Sequence, residues 1–388
     1  MKYYIIAGEA SGDLHGSNLI RELKKLDVAA DIRCWGGDKM QEAGGELVKH
    51  YRDLAFMGFT EVLMNLRTIF RNLKLCKQDI LQYKPDALIL IDYPGFNLRI
   101  AKWAKQQALF TKSGAKIIYY ISPQVWAWKE NRVKMMKQCI DKMLVILPFE
   151  KDYFKNKWNW EVQYVGHPLV EVIDSYKRHE VNNPMIFSMP ENLAEKEYKG
   201  RIALLPGSRK QEIRIKLPVM LRVADQFPDY QFFVARAPGL ESSFYDTFSA
   251  GRFNVGFVIN QTYELLMRSK AALVTSGTAT LETALFGVPE VVCYKGSPIS
   301  YQIARRVIKV KYISLVNLIM DRRVVKELIQ DEMTVENLST ELNELLTNQD
   351  RIAMLRQDYD ELRQLLSKGG NASAKAALSI FNFISATI

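Results

Sequence analysis

The sequence predicts an α/β protein in which two open, mostly parallel sheets follow one another along the chain. Short apolar runs, typical of strands buried on both faces, alternate with amphipathic helical patterns in both halves of the 388 residues. That length suits two domains of ordinary size. The predicted strands are 3–7, 87–91, 116–121 and 143–147 in the first half, and 201–205, 231–234, 271–275 and 291–294 in the second.

One interruption separates the two halves. Gly166-His167-Pro168 and the polar stretch from about Asp174 to Pro184 break the pattern, which predicts a linker near 167–185. We therefore expect one domain at 1–170 and a second at 185–365. Two such domains facing each other would leave a cleft at the carboxyl ends of their strands, where parallel sheets usually bind ligands.

The tail of the chain is helical in character. Thr334 is a suitable N-cap for its first helix. Residues 367–371, rich in glycine and polar side chains, then break the pattern before a final apolar helix at 374–384.

Composition excludes several classes of protein. Apolar residues make up 48% and charged residues 25%, as in ordinary globular enzymes. No apolar run approaches the roughly 18 to 20 residues that span a bilayer, so we expect a cytoplasmic protein. The four cysteines lie far apart without CxxC spacing, which argues against a metal site or disulfides and predicts reduced, buried thiols.

The net charge of +10 is compatible with binding to nucleic acid, to an anionic membrane or to phosphorylated substrates. The basic residues are, however, spread along the chain rather than clustered with aromatics, which argues against a nucleic-acid-binding protein.

The first motif, Ala7-Gly8-Glu9-Ala10-Ser11-Gly12-Asp13, stands where the first strand should pass into the first helix. Glycines there allow a tight turn and let a ligand approach the amino end of the helix. The spacing fits neither a dinucleotide fingerprint nor a P-loop. The alternative is a plain turn in which Ser11 or Asp13 caps the helix.

Two further motifs follow strands of the first half. Asp92, in Ile91-Asp92-Tyr93-Pro94-Gly95-Phe96-Asn97, is a candidate general base at a strand's carboxyl end, or else an organiser of the Pro-Gly turn. In Ser122-Pro123-Gln124-Val125-Trp126-Ala127-Trp128-Lys129, the tryptophans offer either a flat wall beside phosphate-binding cations, Lys129 and Arg132, or ordinary packing.

The second half carries two turns suited to a nucleotide diphosphate. In Leu205-Pro206-Gly207-Ser208-Arg209, backbone amides and the Arg209 fork suit a leaving diphosphate. In Ser276-Gly277-Thr278-Ala279-Thr280-Leu281-Glu282, hydroxyls and amides suit phosphate oxygens, and Glu282 suits ribose hydroxyls. Each turn alone also fits an ordinary helix start.

Two features remain. An apolar band recurs at helical spacing over residues 56–80 with cations beside it, and it suits either a helix that dips into an anionic membrane or a thoroughly buried one. His167 stands at the expected hinge, where it either faces substrate or is structural.

Taken in order, these motifs resemble those of the lipid-A-disaccharide synthases. The resemblance also includes FMGFTEVL at 56–63, LPFEKDYF at 147–154, VGHPL at 165–169 and YISLVNL at 312–318, so it covers nearly the whole chain. It implies a GT-B glycosyltransferase fold, which has two Rossmann-like domains with an interdomain cleft. The amino-terminal domain would hold acceptor and lipid, the carboxyl-terminal domain the UDP-sugar, and residues 366–388 would form a last helix crossing back to the first domain.

The resemblance also implies the reaction. UDP-2,3-diacylglucosamine and 2,3-diacylglucosamine 1-phosphate (lipid X) would condense with inversion to a β-1,6-linked disaccharide 1-phosphate and UDP. No cofactor or metal is implied. The enzyme would lie peripherally on the cytoplasmic face of the inner membrane, held by about residues 56–80, and would not bind nucleic acid. The sequence leaves a homodimer open.

Site residues follow from the matched motifs. The catalytic set is Asp92, Glu9 and Ser11, and the nucleotide-binding set is Gly207, Ser208, Arg209, Ser276, Gly277, Thr278 and Glu282. Some relatives have a second aspartate where this chain has Gly95, so that position would not be essential. The main alternative is a UDP-N-acetylglucosamine 2-epimerase of the same fold, which would need no lipid-binding band. A transferase acting on the peptidoglycan lipid intermediate would show a different opening turn.

Overall fold

The computed structural model describes residues 1–53, 66–182, 197–237, 240–249, 252–297, 301, 310–368 and 370–386. The chain divides into two compact units. Unit 1 contains Met1–Glu171 and Leu366–Ile388, and unit 2 contains Val172–Leu365.

Unit 1 is built on a parallel sheet whose described strands follow the order β3-β2-β1-β4-β5-β6-β7. They are β1 (Lys2–Ala7), β2 (Asp31–Gly36), β3 (Glu46–His50), β4 (Ala87–Ile91), β5 (Lys116–Tyr120), β6 (Lys142–Val145) and β7 (Gln163–Tyr164).

Helices cover both faces of this sheet. They are α1 (Ala10–Leu26), α2 (Asp38–Glu42), α3 (Leu66–Tyr83), α4 (Pro94–Ala104), α5 (Ala108–Thr111), α6 (Arg132–Cys139) and α7 (Pro148–Trp158). Alternate residues of β1 belong to different cores, with Tyr4 and Ile6 in one and Tyr3 and Ile5 in the other. The continuous apolar runs of the sequence therefore reflect strands buried on both faces.

The segment expected to be a linker is a helix instead. α8 (Pro168–Asn182) is continuous for 15 residues. The proline ring fixes φ near the helical value, and the first helical position needs no amide donor, so Pro168 starts this helix rather than breaking it. Leu169, Val170 and Ile173 are buried. The prediction of a linker at 167–185 is thus wrong over residues 168–182, and the division between the units falls inside α8.

Unit 2 repeats the architecture of unit 1, with a parallel sheet in the order β10-β9-β8-β11-β12-β13. Its described strands are β8 (Arg201–Leu205), β9 (Gln231–Arg236), β10 (Val255–Ile259), β11 (Ser269–Thr275), β12 (Glu290–Tyr294) and β13 (Lys326–Ile329). Its described helices are α9 (Lys210–Ala224), α10 (Ser242–Ser249), α11 (Thr262–Met267), α12 (Thr278–Phe286), α13 (Leu315–Met320), α14 (Val335–Thr347) and α15 (Gln349–Ser367).

The helical tail has the predicted cap at its start and the predicted break before its last helix. The Thr334 hydroxyl accepts the Asn337 amide at 3.1 Å at the start of α14. The last helix, α16 (Ala372–Ser385), begins after Asn371, whose side chain accepts the Ala374 amide at 2.7 Å. α16 packs against α1 and supplies Ile380 to the unit 1 core.

Two predictions from composition bear on the fold. All four cysteines are buried and free, as predicted. No helix in the described parts of the chain combines the length and apolar character needed to cross a bilayer.

Candidate active site

Three sequence motifs meet at the carboxyl edge of the unit 1 sheet. β1, β4 and β5 are neighbours, with Ala7 beside Ile91 and Ile91 beside Tyr120. The turns after these strands therefore lie side by side, and they contain the predicted catalytic residues Glu9 and Asp92. Sequence motifs separated by some 80 residues thus form one local site.

The backbone of the second motif is strained. Asp92 and Tyr93 adopt left-handed conformations with φ of 43° and 48°, which non-glycine residues seldom do. The buried Asn97 amide nitrogen lies 2.8 Å from the Asp92 carbonyl oxygen, 3.1 Å from that of Ile91 and 3.3 Å from that of Ile6. The Tyr119 hydroxyl also donates to the Asp92 carbonyl, at 2.5 Å. These bonds hold an otherwise unfavourable turn.

Gly8 is required by the ring of Tyr93. A Cβ atom on Gly8 would lie 2.2 Å from Cδ1 of that ring, closer than any real contact. Tyr93 in turn stacks on Phe96, with ring centroids 5.8 Å apart. The glycine of the first motif therefore permits close packing against the second motif, in addition to any role in binding a ligand.

Burial raises the pKa of the Asp92 carboxyl to about 6, and the negative charge of Glu9 adds to this effect. A carboxylate with a pKa near the operating pH suits a general base. Glu9 is half-buried at the N-cap of α1, where its side chain makes no capping bond. Ser11 is exposed in the first turn of α1.

The buried Asp13 has a structural role. Its carboxylate accepts the amides of Gly37 at 2.8 Å, Met40 at 3.0 Å and Lys39 at 3.2 Å, at the start of α2. Neither Ser11 nor Asp13 caps α1, since both lie inside that helix. The alternative interpretation of the first motif, a simple cap of its own helix, is therefore wrong.

We expect Asn97→Ala to impair catalysis through the Asp92 turn. Loss of the amide removes its hydrogen bonds to three backbone carbonyls and leaves Tyr119 as the side-chain donor to the Asp92 carbonyl, which costs about 1–3 kcal/mol and loosens the strained backbone. Turnover should fall at least about tenfold, with the free energy of unfolding also reduced. UDP binding, assigned to unit 2, should not change. Kinetics and thermal melts test this, with Tyr119→Phe as the milder variant because it removes one bond only. Unchanged turnover in a destabilised protein would contradict the positioning role.

The tryptophan motif contacts a buried carboxyl that the sequence analysis did not single out. The Trp126 indole donates to Glu150 at 3.3 Å, and the Leu147 amide donates to the same carboxyl at 3.0 Å. Burial raises the pKa of Glu150 to about 8. Phe149 packs edge-on against Trp126 with ring centroids 5.0 Å apart. Trp126 is therefore held rigidly by the start of α7.

The histidine at the expected hinge is buried. His167 is 5% exposed, and its Nδ1 accepts the Leu169 amide at 3.2 Å. Burial and the nearby His15 lower its pKa to about 3, so it is neutral. Of the two predictions made for His167, contact with substrate or a structural role, its burial and its bond to Leu169 favour the structural role.

A pocket of about 330 Å³ lies at the carboxyl edge of the unit 2 sheet. It is bordered by the turns after β8, β9 and β11. All but one of the predicted nucleotide-binding residues line it, namely Gly207, Ser208, Ser276, Gly277, Thr278 and Glu282. The volume is in the range of ligand sites. The two predicted turns therefore form one site.

Arg209 is the predicted residue outside the pocket lining. It is the N-cap of α9, and its side chain is 64% exposed. Its guanidinium lies 3.6 Å from Glu212, which also lies 3.9 Å from the buried Lys216 ammonium. Glu212 lines the pocket beside Gly207, whose φ of 116° requires glycine. Sequence analysis missed Glu212 and Lys216.

Glu282, at the end of the second predicted turn, is hydrogen-bonded to a tyrosine of α11. Tyr263 donates to Glu282 at 2.7 Å, and burial raises the pKa of that carboxyl. The Ser276 hydroxyl donates to the Ile313 carbonyl at 2.8 Å. The buried Thr275 hydroxyl borders the same pocket and has no partner within the described part of the chain.

Two parallel α/β units with small-residue turns at their carboxyl edges define a GT-B fold, which glycosyltransferases and epimerases share. Solved structures agree on the fold. A UDP-GlcNAc 2-epimerase from Neisseria meningitidis bound to UDP-GlcNAc has a TM-score of 0.62 at 14% identity, over 98% of this chain and 99% of that one. The calicheamicin glycosyltransferase CalG4 has a TM-score of 0.60 at 14% identity, over 99% and 98%. At such identities the likeness concerns the fold alone.

The family follows from sequence. Residues 3–381 match the lipid-A-disaccharide synthetase family, and the chain belongs to it. The lipid-A-disaccharide synthase of Geobacter metallireducens is 37% identical over 96% of this chain and 95% of its own length. That of Nitrosococcus oceani is 37% identical over 94% and 92%. The protein is therefore a glycosyltransferase of lipid A biosynthesis, as predicted, and the epimerase alternative is excluded.

The described residues contain no cluster of side chains suited to bind a metal ion. No group of three or more His, Cys, Asp or Glu side chains there is placed to hold an ion.

Proposed function

We propose that this enzyme condenses UDP-2,3-diacylglucosamine with lipid X, forming a β-1,6-linked disaccharide 1-phosphate and UDP. Unit 1 binds the acceptor and supplies the base, and unit 2 binds the donor. The observation that carries the proposal is Asp92, held in a strained turn with its pKa raised to about 6.

In the proposed mechanism, Asp92 accepts the proton of the acceptor's 6-hydroxyl as that oxygen attacks the anomeric carbon of the donor sugar. The new bond joins O6 to C1, and the bond from C1 to the UDP oxygen breaks with inversion. Glu9 raises the basicity of Asp92 through its charge, because a second carboxylate favours protonation of the first.

UDP leaves as an anion, which the unit 2 pocket is suited to stabilise. The amides at the start of α12 carry the partial positive charge of a helix amino end. Gly207 and Ser208 border the same pocket, and Arg209 adds a cation at its margin. Glu282 binds Tyr263 through one carboxylate oxygen and has a second oxygen for the ribose.

A coupled assay tests the proposed reaction. Purified protein is incubated with UDP-2,3-diacylglucosamine and radiolabelled lipid X, and the disaccharide 1-phosphate and UDP are both quantified. We expect both products in equal amounts, dependent on both substrates. Release of UDP without disaccharide would reject the condensation.

We also propose peripheral binding to the cytoplasmic face of the inner membrane through α3 and the segment before it. Of the predicted band, residues 56–65 lie outside the described part of the chain. Leu73, Cys76 and Ile80 are core residues, so that face of α3 is ordinary packing. The adjacent face carries Phe70, which is 62% exposed.

A groove of about 590 Å³ runs along this exposed face of α3. Its lining combines Phe70, Leu81 and Trp103 with the cations Lys74, Lys77 and Arg99. Apolar side chains beside cations are typical of surfaces that insert among anionic lipids.

Phe70→Ser should weaken binding to vesicles that contain anionic phospholipid by about tenfold, the effect of withdrawing one aromatic side chain from an apolar environment. Sedimentation with vesicles measures the bound fraction. Leu378→Ser, an exposed apolar side chain on α16, is the matched control and should bind normally. Equal binding of both variants would contradict the role of α3.

A further inference from the structure

An exposed tryptophan with two cations lies in the segment after β5. Trp128 is 48% exposed. The Lys129 ammonium lies 4.0 Å from the centroid of its ring, and the Arg132 guanidinium carbon lies 6.0 Å from the same centroid. We call Trp128, Lys129 and Arg132 the tryptophan-cation cluster.

The positive charge of this cluster is not neutralised by a neighbouring carboxylate. Across the described residues, no ion pair within 4.0 Å involves Lys129 or Arg132. Glu130 stands between them in sequence, but its carboxylate accepts the Tyr153 hydroxyl at 2.8 Å and pairs with Lys157 at 2.5 Å. Burial, and then the like charge of Arg132, lower the pKa of Lys129. Two cations placed together without a counter-ion favour the binding of an anion.

The cluster lies on the same side of the sheet as the proposed base. Arg132 is the first residue of α6, and α6 packs against α4, which begins directly after the Asp92-Tyr93 turn. Asp92 and Arg132 act on the pKa of the buried Tyr119 hydroxyl in opposite directions, Asp92 raising it and Arg132 lowering it. That hydroxyl bonds to the Asp92 carbonyl.

We propose that the tryptophan-cation cluster binds the phosphate monoester of the glycolipid acceptor, an inference that rests on the proposed function. A phosphate dianion accepts paired hydrogen bonds from a guanidinium fork and a further one from an ammonium. The amino end of α6 favours the same charge. The flat Trp128 ring provides an apolar surface for the face of a sugar. The acceptor's 1-phosphate would be bound by the cluster while its 6-hydroxyl, on the far side of the sugar ring, reaches Asp92.

Calorimetric titration tests this site without depending on turnover. The probes are a short-acyl, water-soluble 2,3-diacylglucosamine 1-phosphate and its counterpart with a free 1-hydroxyl. The wild-type protein should bind the phosphorylated probe at least about tenfold more tightly, the scale of one charge-assisted hydrogen bond. In the Lys129→Gln/Arg132→Gln double variant that preference should disappear, while affinity for the unphosphorylated probe and for UDP stays the same.

Lys134→Gln is the control, because Lys134 is an exposed cation of the same helix outside the cluster, and it should keep the wild-type preference. Equal binding of both probes by the wild-type protein would overturn the proposal. So would a double variant that keeps the preference but loses binding to anionic vesicles, since the cluster would then contact membrane phospholipid instead. Phosphate-dependent binding without formation of any disaccharide would support the site and reject the proposed function.

Discussion

Asp92→Asn is expected to lower turnover by at least about a hundredfold while UDP binding persists, because an amide cannot accept the proton of the attacking hydroxyl. The substitution keeps the shape of the side chain and leaves the left-handed turn, held by Asn97 and Tyr119, intact. Unfolding temperature should therefore change little. Steady-state rates, together with an independent measurement of UDP affinity, distinguish a chemical role of Asp92 from a structural one. Unchanged turnover would exclude Asp92 as the base.

The same residue predicts the pH dependence of the wild-type enzyme. Asp92 acts as a base only when ionised, and its pKa is raised to about 6. The quantity kcat/KM should therefore fall as pH decreases below 6, by about tenfold for each pH unit, and level off above 6. The residual kcat/KM of the Asp92→Asn variant should not show this fall below pH 6. A wild-type limb centred near pH 4 would mean that the titrating group is a carboxyl without the burial of Asp92.

Arg209→Ala should weaken the binding of UDP and of the donor by about tenfold or more, since a charge-assisted contact to the diphosphate is lost. The exposed guanidinium lies 3.6 Å from Glu212, long for an ion pair, and can exchange that partner for a phosphate. Acceptor affinity should not change. Arg222→Ala, which removes an exposed cation at the far end of α9, is the matched control. Intact UDP affinity in Arg209→Ala would contradict its assignment to the donor.

The central strands were predictable because they are buried on both faces. The runs that became β1, β4, β5, β8 and β11 each contain at least four consecutive apolar residues, which is typical of strands buried on both faces. The strands at the edges of the sheets, β3, β7, β10 and β13, were missed. An edge strand is flanked on one side only, and the sequence of β13, Lys326-Glu327-Leu328-Ile329, is accordingly mixed. This reason does not apply to β10 (Val255–Ile259), which carries no charged side chain and was missed all the same. β2 was missed for a similar reason, because Asp31 and Arg33 interrupt it.

Some features of the candidate site could be predicted from neighbouring residues in the sequence, whereas others depend on contacts that form only in the folded chain. The turns with Asp92 and Gly207 were visible in sequence, since small and charged residues after an apolar run mark a strand's carboxyl end. The role of Asn97 could not be predicted, because it depends on the strained backbone of the Asp92-Tyr93 turn, which the sequence does not show. Glu150 and Tyr263 come from other helices, so no local pattern could connect them with Trp126 and Glu282.

The position of α16 has a consequence for biosynthesis. Unit 2 is one continuous stretch of chain, whereas unit 1 consists of two stretches separated by it. Ala376, Ala377, Ile380 and Ile384 complete the core that contains Tyr3 and Ile5 of β1. During translation, β1 therefore waits for α16 before its packing is finished, while unit 2 has all its residues earlier. A chain that stops short of α16 would expose the apolar surface of α1, and quality-control proteases would recognise it as incomplete.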